Sequence, residues 1–196
     1  EEGLQERYQD ADEKTLARQK FLWNTGFNFG DWLVPSLSNP DAEGNVNTMA
    51  CMERTKDEIA TCYFAYSAKL LSKIAGILGK EQDAETYHQL FLNIRKAYQE
   101  EYVKEDGRLI SDMQGTYIIA LAFDMLPDEV RGSAAVRLKE LIDENNGCLD
   151  TGFLSVNYIL DTLCAEGMPE TAYQILYQEK TPSWLYEVKK GATTVW

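Results

Sequence analysis

The sequence predicts an all-α fold of helical hairpins, arranged as an α/α toroid or an α-solenoid. Three observations carry this prediction. Apolar residues recur at helical spacing from Thr55 almost to the end of the chain. No segment sustains the alternation of a strand. Asp106-Gly107-Arg108-Leu109 and Asn146-Gly147-Cys148-Leu149 stand 40 positions apart, and each leads into an apolar helix, a short turn and a more polar helix. An irregular helical bundle is the plainer alternative.

In chain order, residues 5–19 are charged and weakly periodic, which reads as an exposed helix or linker arm. Residues 20–40 carry Phe21, Trp23, Phe27, Phe29 and Trp32 interrupted by Asn24, Gly26, Asn28 and Gly30, the pattern of an aromatic loop. Thr55 with Glu58 three residues later predicts a capping box opening a helix that runs to Gly79. A second helix follows from about Lys80 to Tyr102, and Asp106-Gly107 turns the chain. Further helices are predicted near 113–126, 127–144, 153–166 and 169–178, with Pro127 and Pro169 in first-turn positions. The junctions at Gly79, Leu126-Pro127 and Gly167-Pro169 are tight. Those around 103–112 and 145–152 are longer, so they gather on one rim, where a toroid presents its ligand-binding groups.

Composition narrows the function. The chain has 196 residues, 44% of them hydrophobic, enough for a substantial core. Its 19 basic and 32 acidic side chains leave a net charge of −13, which argues against nucleic acid and against anionic membranes as partners. No apolar run approaches a membrane span. Cys51, Cys62, Cys148 and Cys164 form no C-x-x-C pair and read as buried thiols, which points to a reducing, cytoplasmic setting. An N-terminus internal to a longer protein leaves export open. The single histidine, His88, falls on a polar helix face, so no His-rich metal site is expected, nor a cofactor.

Three segments carry candidate chemistry. In Phe27-Asn28-Phe29-Gly30-Asp31-Trp32-Leu33, Asp31 offers an acceptor for sugar hydroxyls and Trp32 a flat face for sugar C–H groups. The structural reading of the same residues is an aromatic plug with Asp31 capping a helix. In Asp150-Thr151-Gly152-Phe153-Leu154, Thr151 or Asp150 is expected to cap the following helix. The closing stretch, Pro182 to Trp196, places Thr193 and Thr194 beside Trp196, a sugar platform or a core residue.

The motifs P-S-W-L-Y-x-V-x-x-G-A-T-T-x-W at 182–196, F-G-D-W-L at 29–33, T-G-F-L at 151–154 and A-T-C-Y-F-A-Y-S-A-K-L-L at 60–71 resemble bacterial α-L-rhamnosidases of glycoside hydrolase family 78. The loop at 111–117 departs from the family's T-x-T-A-Y at Met113 and Gly115, which weakens any ligand role for Asp112 or Gln114. The resemblance implies an (α/α)6 barrel, a carbohydrate substrate and inverting hydrolysis of terminal α-L-rhamnosides. It also implies a substrate-binding set of Asp31, Trp32 and Trp196. Inversion needs an acid and a base about 6.5–9.5 Å apart. By resemblance the base is a glutamate directly after Trp196. The acid belongs to an upstream D-E-R-x-G-W-x-G-D segment that this sequence does not contain.

The expectation is therefore an N-terminal arm over 1–19 and a partial catalytic domain over 20–196, inactive in isolation. Its apolar faces are expected to meet the rest of the domain or a second copy. Another α/α-toroid carbohydrate enzyme (an unsaturated glucuronyl hydrolase or a glucoamylase-like protein) and a non-catalytic helical scaffold are the competing readings.

Overall fold

The computed structural model describes residues 10–38, 44 and 47–194, and regular structure among them is helical apart from one isolated bridge between Val103 and Leu109. A short helix α1 (Glu13–Gln19) is capped by Asp12, whose carboxylate accepts from Thr15 N–H at 2.7 Å. The arm is docked along this stretch, because Arg18 pairs with Glu101 at 2.6 Å and Gln19 is buried. One turn of helix, α2 (Pro35–Ser38), ends the aromatic loop.

The body is three hairpins. α3 (Thr48–Ile77) packs on α4 (Glu81–Tyr102), α5 (Gln114–Ala122) on α6 (Asp128–Glu144), and α7 (Ile159–Ala165) on α8 (Pro169–Leu176). A 3₁₀ turn, Val156–Tyr158, leads into α7, and α9 (Trp184–Lys189) closes the described chain. α5 also touches α3 and α7, so the first helices of the hairpins line up as an inner arc, with the second helices outside. α5 is buried from Gln114 to Leu121, as a central element must be. Phe123 joins the three hairpins. It stacks on Tyr66 at 4.1 Å and meets Tyr63 and Tyr158 edge-on at 5.0 and 5.1 Å, contacts worth about 0.5–1.5 kcal/mol each beyond their burial.

Several expectations change. α3 opens at Thr48 under an Asn47 cap, seven residues before Thr55. Thr55 and Glu58 are therefore interior residues, buried on the same stripe as Ile59 and Cys62. Of the helix expected over 153–166, residues 153–155 form a turn, Val156–Tyr158 a 3₁₀ turn and Ile159–Ala165 the α-helix itself. Asp150 does not cap it; its carboxylate accepts from Ser36 N–H and Oγ–H, both at 2.8 Å. Pro127 stands at the cap position before α6, whereas Pro169 opens α8 as expected. Cys51, Cys62 and Cys148 are buried free thiols, but Cys164 is exposed, off the face of α7 that buries Ile159, Thr162 and Leu163. His88 is on the surface. The far end of α3 leaves Leu70, Leu71, Ile74, Ile77 and Leu78 exposed, Ile77 at 85%.

Candidate functional site

The three segments singled out in the sequence meet. Trp32 from the first, Gly152 and Phe153 from the second, and Trp184 and Glu187 from the third line one cleft of about 310 Å³, at the lower end of the usual range of small-ligand pockets. Its walls are two indoles and a phenyl ring with one carboxylate among them, the combination that suits a neutral, hydroxyl-rich ring with apolar C–H faces. Trp32 is braced from behind by Phe29 at 4.0 Å, itself met edge-on by Phe27 at 4.8 Å. Ser183 caps α9 by accepting from Tyr186 N–H, which fixes the helix that carries Trp184 and Glu187.

Trp32 lines this cleft. Asp31 lies behind it, with 0% of its side chain exposed. Its carboxylate accepts from Gly152 N–H at 2.9 Å, Leu154 N–H at 3.0 Å, Ser155 N–H at 3.2 Å and the Ser155 hydroxyl at 2.5 Å. The expected contact with ring hydroxyls is not what this geometry presents, because protein donors occupy both oxygens. Burial pushes this carboxyl above the usual aspartate value, and the four donors oppose that shift. Trp196 lies outside the described residues. Thr193 and Thr194 are exposed at the end of the described chain.

Two buried anchors under the rim escape a local reading of the sequence. Thr55 Oγ1 accepts from Asp31 N–H at 2.8 Å and donates to the Cys51 carbonyl at 2.7 Å, tying the 30–32 turn to α3. Glu58 accepts from Ser111 N–H at 2.8 Å and from the Ser111 hydroxyl, tying the 109–113 loop to the same helix. Burial lifts the Glu58 carboxyl to about 7, against the pull of the two Ser111 bonds and of Arg54. The available signal was the spacing of Met52, Thr55, Ile59 and Cys62, which puts Thr55 on the apolar stripe.

The 109–113 loop is further held by a fork of Arg137 on Asp112, at 3.1 and 3.0 Å, and by the Tyr117 hydroxyl on Asp112 at 2.8 Å. The Arg137 bonds hold Asp112 below its usual value. Gln114 is buried and bonded to the Leu141 and Cys148 carbonyls and to Asp150 N–H, so it joins loops. No group of three or more His, Cys, Asp or Glu is placed to hold a metal among the described residues, and no helix there is long and apolar enough to cross a membrane.

The family described as the bacterial alpha-L-rhamnosidase 6 hairpin glycosidase domain matches residues 1–196. An alpha-L-rhamnosidase of Streptomyces avermitilis is 41% identical over 168 residues, covering 86% of this chain and 15% of the relative. One of Formosa agariphila is 35% identical over 171 residues, covering 86% and 18%. Among solved structures, the Streptomyces avermitilis alpha-L-rhamnosidase complexed with L-rhamnose superposes with a TM-score of 0.76 at 39% identity, over 90% of this chain and 15% of that one. The native Aspergillus terreus enzyme gives 0.76 at 29% identity, over 87% and 19%. The chain thus spans less than a fifth of the length of these relatives.

Proposed function

The chain belongs to the bacterial alpha-L-rhamnosidase six-hairpin glycosidase family, and on that premise we propose that it forms part of the catalytic domain of an inverting glycoside hydrolase that releases terminal α-L-rhamnose. Its arc of hairpins is part of an α/α toroid. The observation that carries the functional reading is the convergence of Trp32, Phe153 and Trp184 from three distant segments on one cleft. In this reading the indole faces of Trp32 and Trp184 receive the C–H faces of the sugar, and Trp196 adds to them from the residues that follow.

The chemistry asks for two carboxylic groups about 6.5–9.5 Å apart across the anomeric carbon, one protonating the leaving oxygen and one activating water. Asp31 is buried and bonded and is not offered for either task. The general base is assigned to the residue after Trp196 and the general acid to a segment preceding residue 1. This chain supplies binding walls and the supports behind them. The exposed stripe from Leu70 to Leu78 is where α3 meets hairpins contributed by the rest of the domain.

The test compares the 196-residue chain with the full-length protein on an aryl α-L-rhamnoside. The full-length protein is expected to turn over. The isolated chain is expected to be inactive, because each missing carboxylate is worth about 10²–10⁴-fold in rate. Comparable turnover by the isolated chain would place the catalytic pair within these residues and overturn the assignment.

A further inference from the structure

A helix start leaves backbone N–H groups without partners inside the helix, and a side chain just upstream ordinarily accepts from them. In the turn that leads into the 3₁₀ turn and α7, such donors belong to Gly152, Leu154 and Ser155. Their acceptor comes from 121 to 124 residues earlier in the chain: the carboxylate of Asp31. The Ser155 hydroxyl completes the set.

The fit around the carboxylate is tight. A Cβ on Gly115 would stand 2.2 Å from Asp31 Oδ2, and one on Gly152 would stand 2.6 Å from Oδ1. The turn that carries Asp31 is held on its other side by Asp31 N–H on Thr55 Oγ1, and Phe153 N–H donates to the Trp32 carbonyl at 3.0 Å. The residues flanking these contacts, Trp32 on one segment and Phe153 and Val156 on the other, line the cleft.

We propose that Asp31 is a positioning residue, an anchor supplied from a distant segment to the 152–155 turn, which sets Phe153 and Val156 against Trp32 and thereby shapes the cleft without touching the sugar. This rests on the reading of the cleft as the sugar site. Asp31 keeps both oxygens on the protein, and Ser155 and Gly115 are its partners in function although neither lines the cleft. The milder perturbation is therefore Ser155→Ala, which removes one donor; Gly115→Ala is the stronger one, forcing the carboxylate to shift without changing its charge. Asp31→Asn turns an acceptor into a donor facing one of the N–H groups.

In the full-length protein, steady-state kinetics on an aryl α-L-rhamnoside should give KM raised about tenfold by Ser155→Ala and by Gly115→Ala, with kcat within about twofold of the parent. Asp31→Asn should lose the same factor on substrates lacking one ring hydroxyl as on the parent substrate. Hydrogen–deuterium exchange at residues 152–155 should accelerate in Asp31→Asn and Ser155→Ala, a readout that needs no substrate. Unchanged exchange at 152–155 in Asp31→Asn overturns the proposal. So does an Asp31→Asn effect that vanishes on one deoxy substrate while Ser155→Ala and Gly115→Ala stay at wild-type KM, since Asp31 would then bind that hydroxyl itself. A parent protein inactive on every rhamnoside, with exchange responding as expected, would sink the rhamnoside reading and leave the positioning role standing.

Discussion

Glu58 makes stability depend on pH in a window where most carboxylates are silent. It is 3% exposed, its Oε1 accepts from the N–H and hydroxyl of Ser111, and its Oε2 is buried without a hydrogen-bond partner. Arg54 and Asp57 on its own helix act on it in opposite senses, and burial dominates both, raising its pKa from an ordinary 4.5 to about 7. Between these values the folded protein holds a proton that the unfolded chain has lost. Stability from this group is complete below about pH 4.5 and falls as pH rises through about 7. At about 1.4 kcal/mol per pKa unit, the loss across the window is on the order of 3 kcal/mol.

Glu58→Gln removes the titration and keeps an acceptor for Ser111. Urea denaturation from pH 4.5 to 8.5 should find variant and parent similar at the acid end. The variant should be more stable by about 3 kcal/mol at the alkaline end, with the difference opening between the two pKa values. Parallel stability profiles for the two proteins would refute the reasoning, because they would mean that Glu58 titrates alike in the folded and unfolded chain.

Two further outcomes follow from the same structure. Tyr117→Phe deletes the acceptor of Leu109 N–H and the donor to Asp112, so it should destabilise by about 1–3 kcal/mol in urea melts; a change under about 0.5 kcal/mol would mean that Arg137 on Asp112 and Glu58 on Ser111 hold the loop without the Tyr117 hydroxyl. Trp184→Ala opens the cleft wall, so in the full-length protein it should raise KM for an aryl rhamnoside about tenfold or more, and because Trp184 also packs against the core the melting temperature should fall with it. A fall in melting temperature with unaltered KM would make Trp184 a core residue.

The hairpins, their tight junctions at Gly79 and Pro169, and the three segments that carry the cleft are legible in the order of residues alone. Those features are local: helical period, caps and turns act over three or four residues and leave their mark in adjacent positions. The family's motifs added the sugar chemistry. Which side of each motif faces inward is settled by long-range packing. Thr55 and Glu58 spell a capping box in one dimension, yet Asn47 starts the helix earlier and burial hands both side chains to the rim loops. Asp31 and Trp32 are adjacent in sequence, yet one turns to anchor the 152–155 turn more than a hundred residues away and the other lines the cleft. A carboxylate accepts hydrogen bonds as readily from backbone N–H groups as from a sugar, and only the packing of α5 and the 152–155 segment around Asp31 selects between them.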